Sequence, residues 1–243
     1  MRKDTQEQEP AYVIHRRPWR ETSLVLDLFS LNHGRISAVA RGANSSKSAL
    51  KAQLQPFQPL LLGWVGRGDL KTLTQVDVRD GPALRRTVSL YSGLYLNELV
   101  QRVLPPADPL PTLFAAYIET LDLLAQTADV EPVLRRFEQA FAAALGFDFA
   151  WDLAMDTGQA VNAAESYCYD PEQGIVSAVS TGVRLRNLPG DTLLALAGGD
   201  FEGAENRRVA KRVMRVLTDY LLQGRPLNSR SLFIHQRGER HES

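Results

Sequence analysis

"TSLVLDLFSLNHGRISAVARG", residues 22–42, decides how the first third of the chain folds. Leu24, Leu26 and Leu28 alternate with Val25, Asp27 and Phe29, Asn32-His33-Gly34 marks a turn, and Ile36, Ala38 and Ala40 then stand opposite Ser37 and Val39. A period of two belongs to β-strands, so the stretch reads as two strands around a tight turn. "AYVIHRR" precedes it through a Pro-Trp-Arg turn, while "FQPLLLGWVG" and "DLKTLTQVDV" follow, separated by Gly-Arg-Gly-Asp. Five short β-runs between residue 11 and about residue 80 predict a small five-stranded barrel. Among barrels of that size the OB-fold is the one associated with oligonucleotides.

The third run continues into "GANSSKS", residues 42–48, which resembles the G-x-x-x-x-G-K-[ST] loop that wraps backbone N–H groups around a triphosphate. With Lys47 and Ser48 as the Lys-Ser pair, glycines belong at 46 and 41, where Ser46 and Arg41 stand. The register excludes that reading. The stretch is expected to be a strand running into a flexible basic loop, with Gly and Ser supplying mobility.

Past Gly81 and Pro82 the period changes. Leu84, Val88, Tyr91, Tyr95, Leu99 and Val103 recur every three to four residues up to Pro105-Pro106, as an amphipathic helix requires. A second helix is expected from Pro111 to Gln126, and a third from Pro132, with Val133, Leu134, Phe137, Phe141 and Leu145 on one face before Gly146. Residues 150–185 read as loops or short hairpins, and a short helix is expected over 188–198. A long helix is expected between an N-cap at Asn206 and a stop at Gly224, followed by a polar, frayed tail after Asn228. The fold class is therefore α+β and multidomain. An OB-fold barrel (1–80) precedes a helical bundle (81–150), a loop-rich module (151–185) and C-terminal helices with a polar tail (186–243).

Net charge is zero over 243 residues, yet it is segregated. Residues 1–86 carry 14 Lys/Arg against 8 Asp/Glu, residues 87–205 carry 5 against 17, and residues 206–243 carry 9 against 3. Two basic ends flank an acidic middle, a layout that suits polyanion binding by the ends unless the parts pack together and neutralise one another. No apolar run is long enough to span a membrane and the polar N-terminus does not read as a signal peptide, so the expected location is cytoplasmic. The lone cysteine, Cys168, excludes an intrachain disulfide framework and a cysteine-based zinc site. The four histidines lack metal-ligand spacing, and no nucleophile elbow or dinucleotide fingerprint occurs. No metal, cofactor or enzymatic activity is expected.

Binding residues are more conspicuous. Arg16, Arg17 and Arg20 bracket Trp19, Arg35 and Arg41 lie at the two ends of one strand, and Lys47 and Lys51 follow in the Ser-rich loop. Cations neutralise phosphates and an exposed ring offers a base a stacking platform, although Trp19 could equally close the barrel. In the last long helix Arg208, Lys211, Arg212 and Arg215 form an i, i+3, i+4, i+7 stripe, fit either for DNA or for docking on the acidic bundle. Arg135 and Arg136, with Phe137 and Phe141 on the adjoining face, could hold an acidic, apolar peptide. The alternative is pairing within the helix, Arg135 with Glu131 or Gln139 and Arg136 with Glu138 or Asp129.

"AYVIHRRPWRETSLVLDLFSLNHGRISAVARGANSSKS" and "LQPFQPLLLGWVGRGDLKTLTQVD" resemble the N-terminal domain of the bacterial RecO family, and "LYLNEL", "LRRFE" and "GRPLNSRSLF" follow in the family's order. The resemblance covers nearly the whole chain. It implies an OB-fold, a helical domain and a non-enzymatic mediator of recombinational repair. Such a mediator binds single- and double-stranded DNA, anneals complementary strands, pairs with RecR, contacts the acidic tail of single-strand-binding protein and helps RecA load. It implies DNA contacts at Arg16, Arg17, Arg20, Arg35, Arg41 and Lys47, and tail contacts at Arg135, Arg136 and Phe137. The chain departs from the family at 155–185, where many members carry two Cys-x-x-Cys pairs of a zinc module and this sequence has only Cys168. No zinc is carried over. An alternative without the resemblance is a protein–protein adaptor whose barrel docks a partner and binds DNA only weakly.

Overall fold

The computed structural model describes residues 5–233, arranged as two compact units: residues 5–128 with 227–233, and residues 129–226. The first unit is built on a closed barrel of five strands in the order β1-β2-β3-β5-β4. These are β1 (Thr5–Trp19), β2 (Ser23–Ser30), β3 (Gly34–Ala40), β4 (Leu60–Val65) and β5 (Leu70–Val78). The barrel closes through a parallel contact between Ser37–Val39 and Leu70–Thr72, and β1 is long enough to pair with β4 at one end and β2 at the other. This is the OB architecture.

Leu24, Leu26 and Leu28 of β2 and Ile36, Ala38 and Ala40 of β3 point into the barrel with Ala11, Val13, Leu60 and Leu62, all buried. The alternation leaves Val25, Asp27 and Phe29, and Arg35, Ser37 and Val39, on the outer face. Two details differ from the sequence reading. Pro18 and Trp19 continue β1, so the turn is residues 20–22, and the Ser-rich loop carries a short helix, α1 (Ala49–Gln53). No residue of α1 is buried, which is why no apolar period announces it.

Helices α2 (Thr87–Val103) and α3 (Pro111–Gln126) belong to the barrel unit. Phe114 and Tyr117 of α3 pack on Tyr12 and Phe29 of the outer barrel face, with ring centroids 5.1–5.9 Å apart. Asp27 accepts hydrogen bonds from Ser37 and, across to α2, from Gln101, each at 2.8 Å. Gly34, at φ +62°, faces the Asp108 carbonyl so closely that a Cβ could not fit, and this lets residues 104–108 cross the β2–β3 end of the barrel. Residues 229–233 form a helical turn where a frayed tail was expected. Glu98 of α2 accepts from the Asn228 and Ser229 N–H groups and the Ser229 hydroxyl at 2.6–2.9 Å. Residues 234–243 lie outside the described residues.

The bundle expected over 81–150 is divided, because α2 and α3 sit on the barrel while α4 (Val130–Ala144) belongs to the second unit. Its hairpins are β6 (Leu153–Ala154) with β7 (Gln159–Ala160), and β8 (Ser166–Asp170) with β9 (Gly174–Ser177). Strand β10 (Leu185–Pro189) joins the latter in the order β10-β8-β9. Tyr167, Tyr169, Ile175 and Leu188 pack with α5 (Gly190–Ala197) and with Val209, Val213, Met214 and Leu217 of α6 (Ala204–Leu221). The N-cap of α6 is Gly203, not Asn206, whose side-chain amide reaches back to Asp200.

Candidate nucleic-acid interface

Cross-strand register places Trp19 opposite Ser23, and Leu24 opposite Ala40. The end of β1, the turn 20–22 and the loop leaving β3 at Arg41 therefore meet at one end of the barrel. The Asn44 N–H donates to the Thr22 carbonyl at 2.8 Å and ties turn to loop. Arg17, Arg20, Arg41 and Lys47 are exposed there, and Trp19 is 41% exposed. Among the described residues none of these four cations has a carboxylate within ion-pair distance. Cations without carboxylate partners beside a part-exposed ring are chemically suited to a polyanion bearing aromatic bases.

Arg16 and Lys51 lie at the same end in other roles. The Arg16 guanidinium donates to the Lys51 and Leu54 carbonyls at 3.3 Å, satisfying the C-terminal end of α1, so it is a positioning residue for the basic loop. Lys51 is exposed on α1 and reaches the Asn44 side-chain oxygen at 3.4 Å. Arg35 is set apart. It is the second residue of β3, about 20 Å of strand away from Arg41, and its Nε donates to the Leu104 carbonyl at 2.9 Å while its own carbonyl accepts from the Ala107 N–H. It joins the 104–107 segment to the barrel.

The cationic stripe of α6 is compensated within its own unit. Arg208 pairs with Glu205 at 2.6 Å, Lys211 with Glu131 of α4 at 2.7 Å, and Arg215 with Asp219 at 4.0 Å, while Arg212 donates to the Arg186 carbonyl. Neighbouring Arg207 pairs with Asp129 at 2.7 Å and with Glu202. Burial alone would raise the Glu131 carboxyl, but the hydrogen bond from Lys211 and the charges of Lys211, Arg135 and Arg207 hold it below its ordinary value. Within the stripe only Lys211 reaches α4; Arg208 and Arg215 pair along α6 itself and Arg212 meets a backbone carbonyl.

On α4, Phe137 and Phe141 are buried, 1% and 0% exposed, so neither ring lines a surface groove. Arg135 pairs with Glu138 at 2.8 Å, one turn on, rather than with Glu131 or Gln139, and Arg136 lies over the Phe201 ring rather than beside Glu138 or Asp129. What is open is a shallow depression lined by Glu131, Pro132, Arg135, Phe201, Arg207 and Lys211. The Arg135 Nε is buried there without a hydrogen-bond partner. Sequence reasoning missed Phe201, for which the only local signal is an aromatic just ahead of a helix start.

Cys168 is buried in β8, and the Arg186 guanidinium spans its sulfur and the Ala178 and Ser180 carbonyls at 3.0–3.8 Å. Packing and this arginine hold together part of the region in which this sequence departs from the Cys-x-x-Cys pairs of many members of the family it resembles. Among the described residues no three His, Cys, Asp or Glu side chains gather as metal ligands, and no helix is long and apolar enough to cross a membrane.

The family model for the recombination protein O N-terminal domain matches residues 1–82, and that for its C-terminal domain matches residues 85–231. The DNA repair protein RecO of Marinobacter nauticus is 67% identical over 232 residues, covering 94% of each chain. Those of Aromatoleum aromaticum and Vibrio parahaemolyticus are each 42% identical, covering 92% of this chain and 93% and 91% of theirs. Barrel, helical region and relatives agree: this chain belongs to the RecO family of DNA repair and recombination proteins.

Proposed function

We propose that the protein holds single- and double-stranded DNA on the barrel end that carries Arg17, Trp19, Arg20, Arg41 and Lys47, and there brings complementary strands together. The observation that carries this reading is the lack of carboxylate partners for those four cations among the described residues, against the paired cations of α6. Two DNA backbones repel; a cationic surface that engages both lowers the repulsion and releases counterions, with no covalent step. The protein acts as a mediator without catalytic chemistry, on the bacterial nucleoid in the cytoplasm, together with RecR, in loading RecA onto DNA covered by single-strand-binding protein.

The depression beside Arg135 is the proposed seat for the tail of single-strand-binding protein. Arg135, Arg207 and Lys211 line it already paired with Glu138, Asp129 and Glu131, so an acidic peptide would have to exchange with those carboxylates, while Pro132 and Phe201 supply apolar surface. Phe137 and Phe141 shape α4 from beneath. Two experiments test the reading. Annealing of complementary oligonucleotides is expected to accelerate with added protein and to slow steeply as salt rises; acceleration insensitive to salt contradicts it. Arg135→Glu is expected to weaken binding of an acidic peptide with an apolar C-terminus and to leave DNA affinity nearly unchanged. Equal loss of both with an unchanged thermal melt would show the arginine to be wrongly placed; where Arg135→Glu lowers the melt by disturbing buried Glu138, Arg207→Gln, at a more exposed side chain, tests the same seat.

A further inference from the structure

We infer that Trp19 makes the barrel end favour unpaired strands over the duplex they form, so that the product of annealing is released by the surface that assembled it. The inference rests on the DNA-binding reading above. Trp64 and Trp151 are 4% and 5% exposed, whereas Trp19 is 41% exposed. Its placement is defined on both sides. Trp19 is the last residue of β1, its backbone in register with Ser23, Pro18 before it restricts the chain, and Arg20 after it sits at φ 54° to close the turn. The bond from Asn44 to Thr22 holds the turn against the loop carrying Arg41 and Lys47.

The contrast with the other rings of the outer barrel face is informative. Tyr12 and Phe29 are 4% and 0% exposed because Phe114 and Tyr117 cover them. Among the described residues no ring or guanidinium stacks on Trp19. A large ring left 41% exposed, next in the chain to Arg20 and two residues from Arg17, while Tyr12 and Phe29 are covered, is the kind of group a base stacks on.

Phosphate contacts with Arg17, Arg20, Arg41 and Lys47 by themselves favour the duplex, whose backbone charge is denser, so a preference for unpaired strands has to come from another interaction. Stacking provides it. An unpaired base offers a free face to the indole, but a base inside a duplex is covered on both faces by its neighbours. When the held strands pair, the stacked base leaves the indole and the phosphate attractions remain. With stacking worth about 1–3 kcal/mol per base, or about fivefold and more in affinity, its loss outweighs the duplex's gain in phosphate attraction, and the site binds its product less tightly than the strands it assembled.

The test compares the full-length protein with Trp19→Ala and Trp19→Phe, using labelled oligothymidylate and a duplex of equal length at one salt concentration. Trp19→Ala is expected to lose about fivefold or more in affinity for oligothymidylate and to keep its duplex affinity within about twofold, with an unchanged thermal melt. Trp19→Phe restores most of the preference. In annealing with excess duplex present, Trp19→Ala is expected to be inhibited more strongly than the parent. Equal loss on both DNAs, or no loss on oligothymidylate, overturns the inference while leaving the cationic surface standing. DNA affinity unmoved by reversing Arg17, Arg20 and Arg41 would instead overturn the surface itself, and the inference with it.

Discussion

Two clusters of cations look alike on paper: Arg17, Arg20, Arg41 and Lys47 around a turn of the barrel, and Arg208, Lys211, Arg212 and Arg215 along α6. In the fold their surroundings differ. The α6 cations meet Glu205, Glu131, Asp219 and a backbone carbonyl, while the barrel cations meet no carboxylate among the described residues. A cation already paired must give up its partner to take a phosphate, so its net gain from DNA is small; an unpaired one exchanges only water and counterions. Charge left uncompensated by the fold, rather than charge count, therefore supports the proposed DNA surface.

The largest effect expected from this contrast comes from reversing Arg17, Arg20 and Arg41 together to Glu. DNA affinity is expected to fall about a hundredfold or more at moderate salt, measured by anisotropy on the folded protein. Reversing Arg208, Lys211 and Arg215 makes the same formal charge change and is expected to cost less than about tenfold. Equal losses would erase the distinction between the clusters.

Arg35 sharpens the contrast from within the barrel. Arg35→Ala removes a charged donor from the Leu104 carbonyl and is expected to lower stability by about 1–3 kcal/mol. DNA affinity should remain within about twofold, and a large loss of affinity with no change in the thermal melt would return Arg35 to the DNA surface.

Glu98 shows what a carboxylate does where the fold supplies donors. Partial burial raises its pKa, but the Ser229 hydroxyl, the Ser229 and Asn228 N–H groups and the Arg102 charge together hold it below the ordinary 4.5. A depressed folded-state pKa stabilises above the unfolded value, and that contribution is lost as pH falls through the folded value. Glu98→Gln is thus expected to cost about 1–2 kcal/mol at neutral pH, with the difference from the parent narrowing below pH 4.5. Urea melts at the two pH values check it; a constant difference would contradict the role of the charge. The smallest effect is that of Lys211→Ala, whose exposed pair with Glu131 is worth about 1 kcal/mol or less. A chemical melt that shifts by more would mean that the α4–α6 pairing carries unexpected weight.

Much of the fold was legible because its signals are local. The alternation of Leu24, Leu26 and Leu28 against Ile36, Ala38 and Ala40 is the barrel interior, and the three- to four-residue spacing from Val88 to Val103 is α2. Long-range partners were not legible. Arg35 bonds to a carbonyl 69 positions away, and Lys211 to a carboxylate 80 away, so sequence spacing shows neither. Helical spacing correctly put Phe137 and Phe141 on one face but could not tell a covered face from an open one. Phe201 and Arg186 were silent for the same reason, their roles being set by the elements that fold back on them.

The central claim is tested most directly by the slope of log affinity for duplex DNA against log salt, measured for the parent, the barrel triple reversal and the α6 triple reversal. Each phosphate contact contributes about 0.9 to that slope. The barrel variant is expected to lose about three contacts' worth of slope and the α6 variant to keep the parent's. A barrel variant with an unchanged slope, or an α6 variant with the larger loss, would contradict the claim that uncompensated cations at the barrel end are the DNA surface.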